Sequence, residues 1–512
     1  MPAAACHRPA DLVPAFLLFT CLLVCSPLEG WQQPAKNSGS GFTTRPGARS
    51  PVQGLADPRQ LLELYGVDES HLRFLLDGEP LLPEEIDVIS KILMRFDDLG
   101  HENILRWMSP SVPWDELVTE VEDHRIDFFR IEGTARLVQR QKIVEEAAIL
   151  YGFDHFFWVL LDMPGGQKVR IATRTIPSSW PLDEPLAEPA VARAMYLKHG
   201  LQEEESEFFL FSAARIEWYP ALPSRSLGIT EGMVALAGMG MDISLFDNVR
   251  SRNRRSLGVH ERDCFYRLLE LVAGKIPSSW TIQARPMELT ELLRSPQHHH
   301  GDYLDLKATV RRITRIEIPD RDVQIRFGMQ HYYQMDLFMP LGDQTIQIKL
   351  NPNDQQGLTF TGQFPLVACV HQLPARLALA QKQLDEGSYA GSMLNETIRI
   401  KGFFFKIWGY QTSYSSADDT PRRQLSPMIL AFEPEVVDLD TRRDSPLGLV
   451  LSVLFAVILA GIWFFSWRSN RRTGAVLQSR RKRDPPTSPE QFREMARQLE
   501  PGDEKDDPEE PT

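Results

Sequence analysis

The sequence contains few cysteines. Of its 512 residues only five are cysteine, and three of them, Cys6, Cys21 and Cys25, fall within the first 30 residues. Cys264 and Cys369 alone remain for the body of the chain, which excludes a disulfide framework. A single bridge between these two is one alternative. We favour two buried free thiols, because unpaired cysteine is often buried.

Signatures of catalysis are also missing. The chain has no Gly-x-Ser-x-Gly elbow, no Gly-rich phosphate loop before a helix, no His-Glu-x-x-His and no Cys/His nucleophile pattern. We therefore predict no catalytic residue, no cofactor and no metal. A hydrolase with an unrecognised site remains an alternative.

Positive charge is not in excess. The formal net charge is −13, whereas nucleic-acid binding usually needs a basic surface. Single-stranded nucleic-acid binding is therefore kept only as an alternative function.

Two long stretches lack charge altogether. Residues 12–25 follow Arg8 and have the length of a signal-peptide core, so we predict a signal peptide over 1–30 and a disordered leader over 31–56. Residues 447–467 are long enough to span a bilayer and end in tryptophans and phenylalanines typical of a membrane interface.

The residues after this second stretch are strongly basic. Arg468, Arg471 and Arg472 follow it, and residues 480–483 are again Arg or Lys. By the positive-inside rule, the tail over 468–512 is cytoplasmic and the chain before the span is extracytoplasmic. We thus expect a single-pass membrane protein.

The body of the chain contains an internal repeat. Residues 151–166 (YGFDHFFWVLLDMPGG) align without gaps on 327–342 (FGMQHYYQMDLFMPLG), and residues 116–143 align on 291–318. The identical pairs include Gly152/Gly328, His155/His331, Glu116/Glu291, His124/His299 and Asp127/Asp302. We infer one domain present in two copies.

The order of predicted elements is similar in both copies. Each begins with a long alternating strand, then an aromatic strand, a short strand (168–173 or 345–350), a helix (189–199 or 374–384) and two strands. The last two are predicted at 208–219 and 233–237 in the first copy, and at 398–410 and 428–432 in the second. This order resembles an OB-fold, a five-stranded Greek-key barrel, at the level of topology.

The predicted fold is mainly β with helices (α+β): two tandem OB-like barrels, each preceded by a helix, and one C-terminal transmembrane helix. A generic small barrel or sandwich is the alternative. The predicted domains are a helical cap (57–110), a first barrel (111–245), a helical connector (246–290) and a second barrel (291–436).

Aromatic and basic residues on the fourth strands form the predicted ligand surface. Such platforms bind single strands or sugars in some OB-folds, although we favour a buried central strand as the explanation of the pattern. The proposed surface residues are Phe404, Lys406, Trp408 and Tyr410 on one strand face of the second copy, with Arg215, Trp218 and Tyr219 in the first.

Histidines give a weaker signal. His298, His299 and His300 suggest a metal site, but only His299 has an equivalent, and no cysteine or acidic cluster has ligand spacing. We interpret the run as a polar loop, and His155 and His331 as hydrogen-bonding residues within the barrels.

The sequence therefore predicts a membrane-anchored, non-enzymatic binding or scaffolding protein. Its expected partners are the membrane and a protein, peptide or glycan outside the cytoplasm.

Overall fold

The computed structural model describes residues 57–201, 207–278, 280–348, 358–385, 394–412, 422–437 and 446–481. The predicted signal peptide, the leader and the end of the tail lie outside the described residues. The chain divides into one compact unit that ends at Val437 and a second that begins at Asp438.

The first half of the larger unit contains helices on both sides of a mixed sheet. Its strands are β1 (Met108–Ser109), β2 (Phe128–Lys142), β3 (His155–Asp162), β4 (Lys168–Thr173), β5 (Glu188–Leu201), β6 (Glu207–Ala213) and β7 (Glu217–Trp218). Its helices are α1 (Pro58–Leu64), α2 (Glu69–Leu72), α3 (Pro83–Leu99), α4 (His101–Trp107), α5 (Glu116–Thr119), α6 (Val121–His124), α7 (Glu145–Tyr151), α8 (Glu231–Gly238) and α9 (Phe246–Ser251).

The second half repeats this arrangement. Its strands are β8 (Arg285–Pro286), β9 (Tyr303–Glu317), β10 (His331–Ile348), β11 (Leu358–Val370), β12 (Glu396–Thr412), β13 (Arg422–Ala431) and β14 (Glu435–Val436). Its helices are α10 (Arg262–Leu271), α11 (Leu289–Arg294), α12 (Arg321–Phe327) and α13 (Ala375–Asp385).

Two seven-stranded sheets result among the described residues. The strand order is β1-β2-β3-β4-β6-β5-β7 in the first sheet and β14-β12-β13-β11-β10-β9-β8 in the second. In each sheet the long first strand also pairs with the fourth long strand, as β2 with β5 and β9 with β12. The pairs β4–β6 and β11–β13 are parallel. The α+β class and the duplication predicted from the sequence are therefore confirmed.

Several elements of the first copy differ from the prediction. Residues 189–199, predicted as a helix, lie in β5, which pairs with β2, β6 and β7. Because most of its residues are buried on both faces, β5 lacks the polar–apolar alternation of a half-buried strand and is hard to distinguish from a helix. The predicted strand at 208–219 is interrupted after Ala213, and the one at 233–237 lies inside α8.

The second copy follows the prediction more closely. Helix α13 and strands β12 and β13 occupy the predicted places, but residues 345–348 belong to the end of β10. The third strand is β11, which begins later, at Leu358.

One helix covers the same sheet face in each copy. In α3, Ile89 and Ile92 are fully buried, and in α10 the residues at the matching positions, Phe265 and Leu268, are buried too. Helix α3 packs over Phe156 and Trp158 of β3, and Phe265 of α10 lies 5.3 Å from the ring of Tyr332 on β10. One face of the aromatic strand of each copy, with Phe156, Trp158 and Tyr332, is thereby buried. The duplicated unit is thus a helix plus a sheet.

Glycine caps explain one of the repeated positions. Gly152 ends α7 and Gly328 ends α12, both in the left-handed conformation with φ of 76° and 63°. Glycine takes this conformation at little cost. The repeated glycine therefore serves the helix before the aromatic strand rather than the hairpin after it.

The second unit contains one long helix, α14 (Pro446–Arg481). Within the described part of the chain, α14 is the one helix long and apolar enough to cross a membrane. Its 18-residue segment Leu451–Arg468 has a mean hydropathy of 1.8.

Candidate binding site

The predicted surface of the second copy is largely enclosed. Phe404 and Lys406 have no exposed surface, Trp408 is 8 % exposed and Tyr410 is half-buried. Trp408 and Tyr410 stack on each other with ring centroids 4.4 Å apart. Phe404 and Lys406 are therefore inaccessible to a ligand in this structure.

A β-bulge explains why these four residues do not share a strand face. The register between β12 and β13 shifts between Phe404 and Lys406, which inserts one extra residue into β12. Phe404 and Ile407 consequently pack in one core cluster, whereas Phe405 and Trp408 pack in the other. The alternation of side chains between the two strand faces, which the sequence predicted without interruption, is therefore reversed at this bulge.

The three first-copy residues lie elsewhere. They are not equivalent to those on β12, because the counterpart of β12 is β5. Trp218 is buried, and its indole donates to Glu188 at 3.0 Å. Arg215 forms an ion pair with Asp242, and the Tyr219 hydroxyl donates to Glu217 at 2.9 Å. Burial raises the pKa of Tyr219 to about 12.

Each copy contains a fully buried Lys–Glu ion pair that the sequence reading missed. Lys198 of β5 lies 2.7 Å from Glu85, and Lys406 of β12 pairs with Glu261; all four side chains have no exposed surface. Burial raises the pKa of Glu261 and lowers that of Lys406.

The two glutamates lie at equivalent places: Glu85 in the first turn of α3, and Glu261 at the end of the 3-10 turn Val259–Glu261 that leads into α10. Glu85 Oε2 accepts from the backbone N–H of Leu82, and Glu261 Oε2 accepts from that of Gly258, both at 2.8 Å. Glutamate three residues into a helix is a capping signal, so this element of the repeat was visible in the sequence.

Both lysines lie at β-bulges, and a similar side-chain hydrogen bond forms at each bulge. The carbonyl of the residue before each lysine accepts a side-chain hydrogen bond: Leu197 from Arg125 at 2.7 Å, and Phe405 from His300 at 2.5 Å. Burial lowers the pKa of His300 to about 3. Its Nε2 has no hydrogen-bond partner among the described residues, which fits a neutral imidazole. His300 is thus a core residue rather than part of a polar loop.

The repeated His124 and His299 each lie between two carboxylates. His124 contacts Asp127 at 3.1 Å and Glu116 at 3.2 Å, and His299 contacts Asp302 at 2.9 Å. Across the residues that the structure describes, no group of three or more His, Cys, Asp or Glu side chains is arranged to hold a metal ion.

Cys264 and Cys369, the two cysteines among the described residues, are free and buried. Burial raises the pKa of both Cys264 and Cys369. Neither can supply an accessible thiolate. This confirms the free-thiol alternative.

A solvent-open cleft is lined by residues of the first sheet, of α8 and of helix α10 in the second copy. Its volume is about 610 Å³, within the range of ligand pockets. Arg130 of β2, Arg193 of β5 and Arg267 of α10 line it, together with Glu132 and Tyr219. Tyr219 is thus the one predicted surface residue found in the cleft.

Comparison with known proteins identifies no relative. No protein-family model matches the sequence, and no curated protein matches it. Among solved structures, a deletion mutant of the single-stranded DNA-binding protein from Thermus aquaticus is 8 % identical, covering 62 % of this chain and 96 % of its own, with a TM-score of 0.14.

Two toxin components give similar values. The ADP-ribosylating toxin BECa of C. perfringens is 9 % identical over 74 % of this chain and 99 % of its own, with a TM-score of 0.13. The enzymatic component C2-I of the Clostridium botulinum C2 toxin is 10 % identical over 73 % of this chain and 91 % of its own, with a TM-score of 0.09. Such scores carry no argument about fold or function.

Proposed function

We propose that each sheet is an OB-like five-stranded barrel. Supporting this, the pairings β2–β3, β3–β4, β4–β6, β6–β5 and β5–β2 form a closed circuit. The order of strands along this circuit, with the third and fifth parallel, is that of a Greek-key barrel rather than a meander.

We further propose that α14 anchors the protein in a membrane, with residues 468–512 in the cytoplasm and the two barrels outside it. The uncharged stretch 447–467 and the arginines that follow support this orientation.

In this position we propose a non-enzymatic binding or scaffolding role toward a protein, peptide or glycan. The observation that carries the proposal is the open cleft at the junction of the two copies. The aromatic residues Phe156, Trp158 and Tyr332 are buried, whereas the cleft offers a partner an open concave surface lined by charged groups.

Affinity capture tests this role. Full-length protein in detergent is used as bait on a membrane extract of the cells that produce it, and a bait of residues 438–512 serves as the matched control for binding to the span and tail. We expect a partner captured by the full chain alone. Recovery of the same proteins with both baits would contradict the proposal, and an oligonucleotide shift at low salt would favour nucleic-acid binding instead.

A further inference from the structure

The first sheet carries an unusual like-charge pair in the cleft. Arg130 and Arg193 are direct partners across β2 and β5, so their side chains leave the same sheet face. Like charges directly opposite each other in a sheet are destabilising. Both arginines of this pair line the open cleft.

The second copy provides an internal comparison at the same register. There the opposed residues are Asp305 and Lys401, which carry opposite charges. Asp305 also accepts hydrogen bonds from Arg399 at 2.9 and 3.1 Å. The opposed residues therefore carry opposite charges in the second copy and like charges in the first.

Groups from other elements hold the cleft arginines in place. Arg193 forms an ion pair with Glu217, which is 7 % exposed. Arg267 donates to the Gly240 carbonyl at 3.0 Å and to Glu270 at 2.8 Å. Arg130 is half-exposed, and its one described partner is the exposed Glu132 at 3.3 Å. Arg130 can therefore turn to an incoming anion at little cost.

We propose that this cleft binds a carboxylate-bearing segment of a partner polypeptide, and this inference rests on the binding role proposed above. Guanidinium groups match carboxylates through paired, charge-assisted hydrogen bonds. Pro164, Pro189 and Tyr219 give the cleft apolar walls against which an extended peptide can pack. The carboxylates of the segment give Arg130, whose described partner is the exposed Glu132, a second and stronger partner.

Fluorescence anisotropy on the full-length protein in detergent provides the test. The probe is a labelled peptide of alternating glutamate and glycine, and the reference peptide replaces each glutamate with glutamine. We expect the acidic peptide to bind and the reference not to. Arg130→Gln and Arg267→Gln should each weaken binding by about tenfold, the effect of one charge-assisted hydrogen bond.

Arg136→Gln is the matched control. Arg136 lies on the same strand and has the same 50 % side-chain exposure as Arg130, but it pairs with Asp162 and does not line the cleft. Its binding should equal that of the unaltered protein. Equal weakening by Arg130→Gln and Arg136→Gln would overturn the proposal, because it would indicate a general charge effect.

Two further outcomes also decide the matter. Inorganic phosphate or an oligonucleotide that displaces the peptide at equal charge concentration would overturn selectivity for carboxylates. If the double variant Arg130→Gln/Arg267→Gln still captures the partner from the membrane extract, the cleft is not the binding site, and the binding role stands. If the unaltered full-length protein captures no partner, the binding role itself is wrong.

Discussion

Lys198 and Lys406 are buried at equivalent bulges, although burying an ammonium group costs several kcal/mol. Each is tolerated because a carboxylate approaches it within the core, from Glu85 of α3 or from Glu261 in the turn before α10. We expect such pairs to contribute more to specificity than to stability, because a wrongly placed helix would leave the lysine buried without a carboxylate. The two copies thus share this buried ion pair, although the core residues around it differ.

We predict that Lys406→Met destabilises the protein by about 3–5 kcal/mol, because Glu261 is left buried without its partner. The double variant Lys406→Met/Glu261→Gln should recover most of this loss, and Arg312→Met, which removes an exposed pair with Asp336, should cost about 0–1 kcal/mol. Chemical denaturation followed by tryptophan fluorescence measures all three. A double variant as unstable as the single one would show that the loss does not come from the unpaired Glu261 charge.

His300 predicts a pH dependence of stability. Its folded-state pKa of about 3 lies below the unfolded value near 6.5, so the unfolded chain binds the proton first. The stability contribution is present above pH 6.5 and is lost as pH falls toward 3. Between pH 6 and 4 the loss should be about 1.4 kcal/mol per pH unit.

The variant His300→Gln keeps a donor for the Phe405 carbonyl but does not titrate. The difference in unfolding free energy between the unaltered protein and this variant should therefore narrow as pH falls from 6 to 4. A constant difference over that range would mean that the imidazole is not the titrating group.

At the scale of elements, the spacing of polar and apolar residues in the sequence predicted the amphipathic strands and helices. The alternation of β2 and β9, the helix α13 and the aromatic strands β3 and β10 were all readable from the sequence. Strand β5 was not, because burial on both faces removes the polar–apolar period on which such a reading depends. The bulge in β12 was equally invisible, since one inserted residue reverses a face without changing composition. The cleft depends on contacts between residues far apart in the chain, and of its residues only Tyr219 was singled out.

Helix α10 should stabilise the second sheet as α3 stabilises the first. Phe265 is fully buried and contacts the rings of Tyr332 and Phe405 at 5.3 and 5.6 Å. We expect Phe265→Ala to cost about 3–5 kcal/mol of unfolding free energy. Ile325→Ala, at a 64 % exposed position of α12, should change it by about 0.5 kcal/mol or less. Similar values for the two variants in denaturant titrations would argue against this packing.

At the scale of the whole molecule, α14 belongs to a terminal unit that begins at Asp438. If α14 spans a bilayer, the full-length protein should stay in the membrane pellet after an alkaline carbonate wash. Replacement of Val457 and Leu459 by arginine should release it, because each arginine at the centre of a span costs about 2.5–3.5 kcal/mol. The same double replacement by alanine is the control, and it should remain in the pellet.

One core cluster connects the interior of the first sheet, from Ile131 and Val159, through Phe246 of α9 to Phe265 and Tyr332 of the second copy. A cut between the two copies would expose the residues that they share, so we expect that neither folds alone. We expect one cooperative unfolding transition for the pair. A fused core of this kind couples the copies thermodynamically, so that a substitution in the core of one lowers the stability of both.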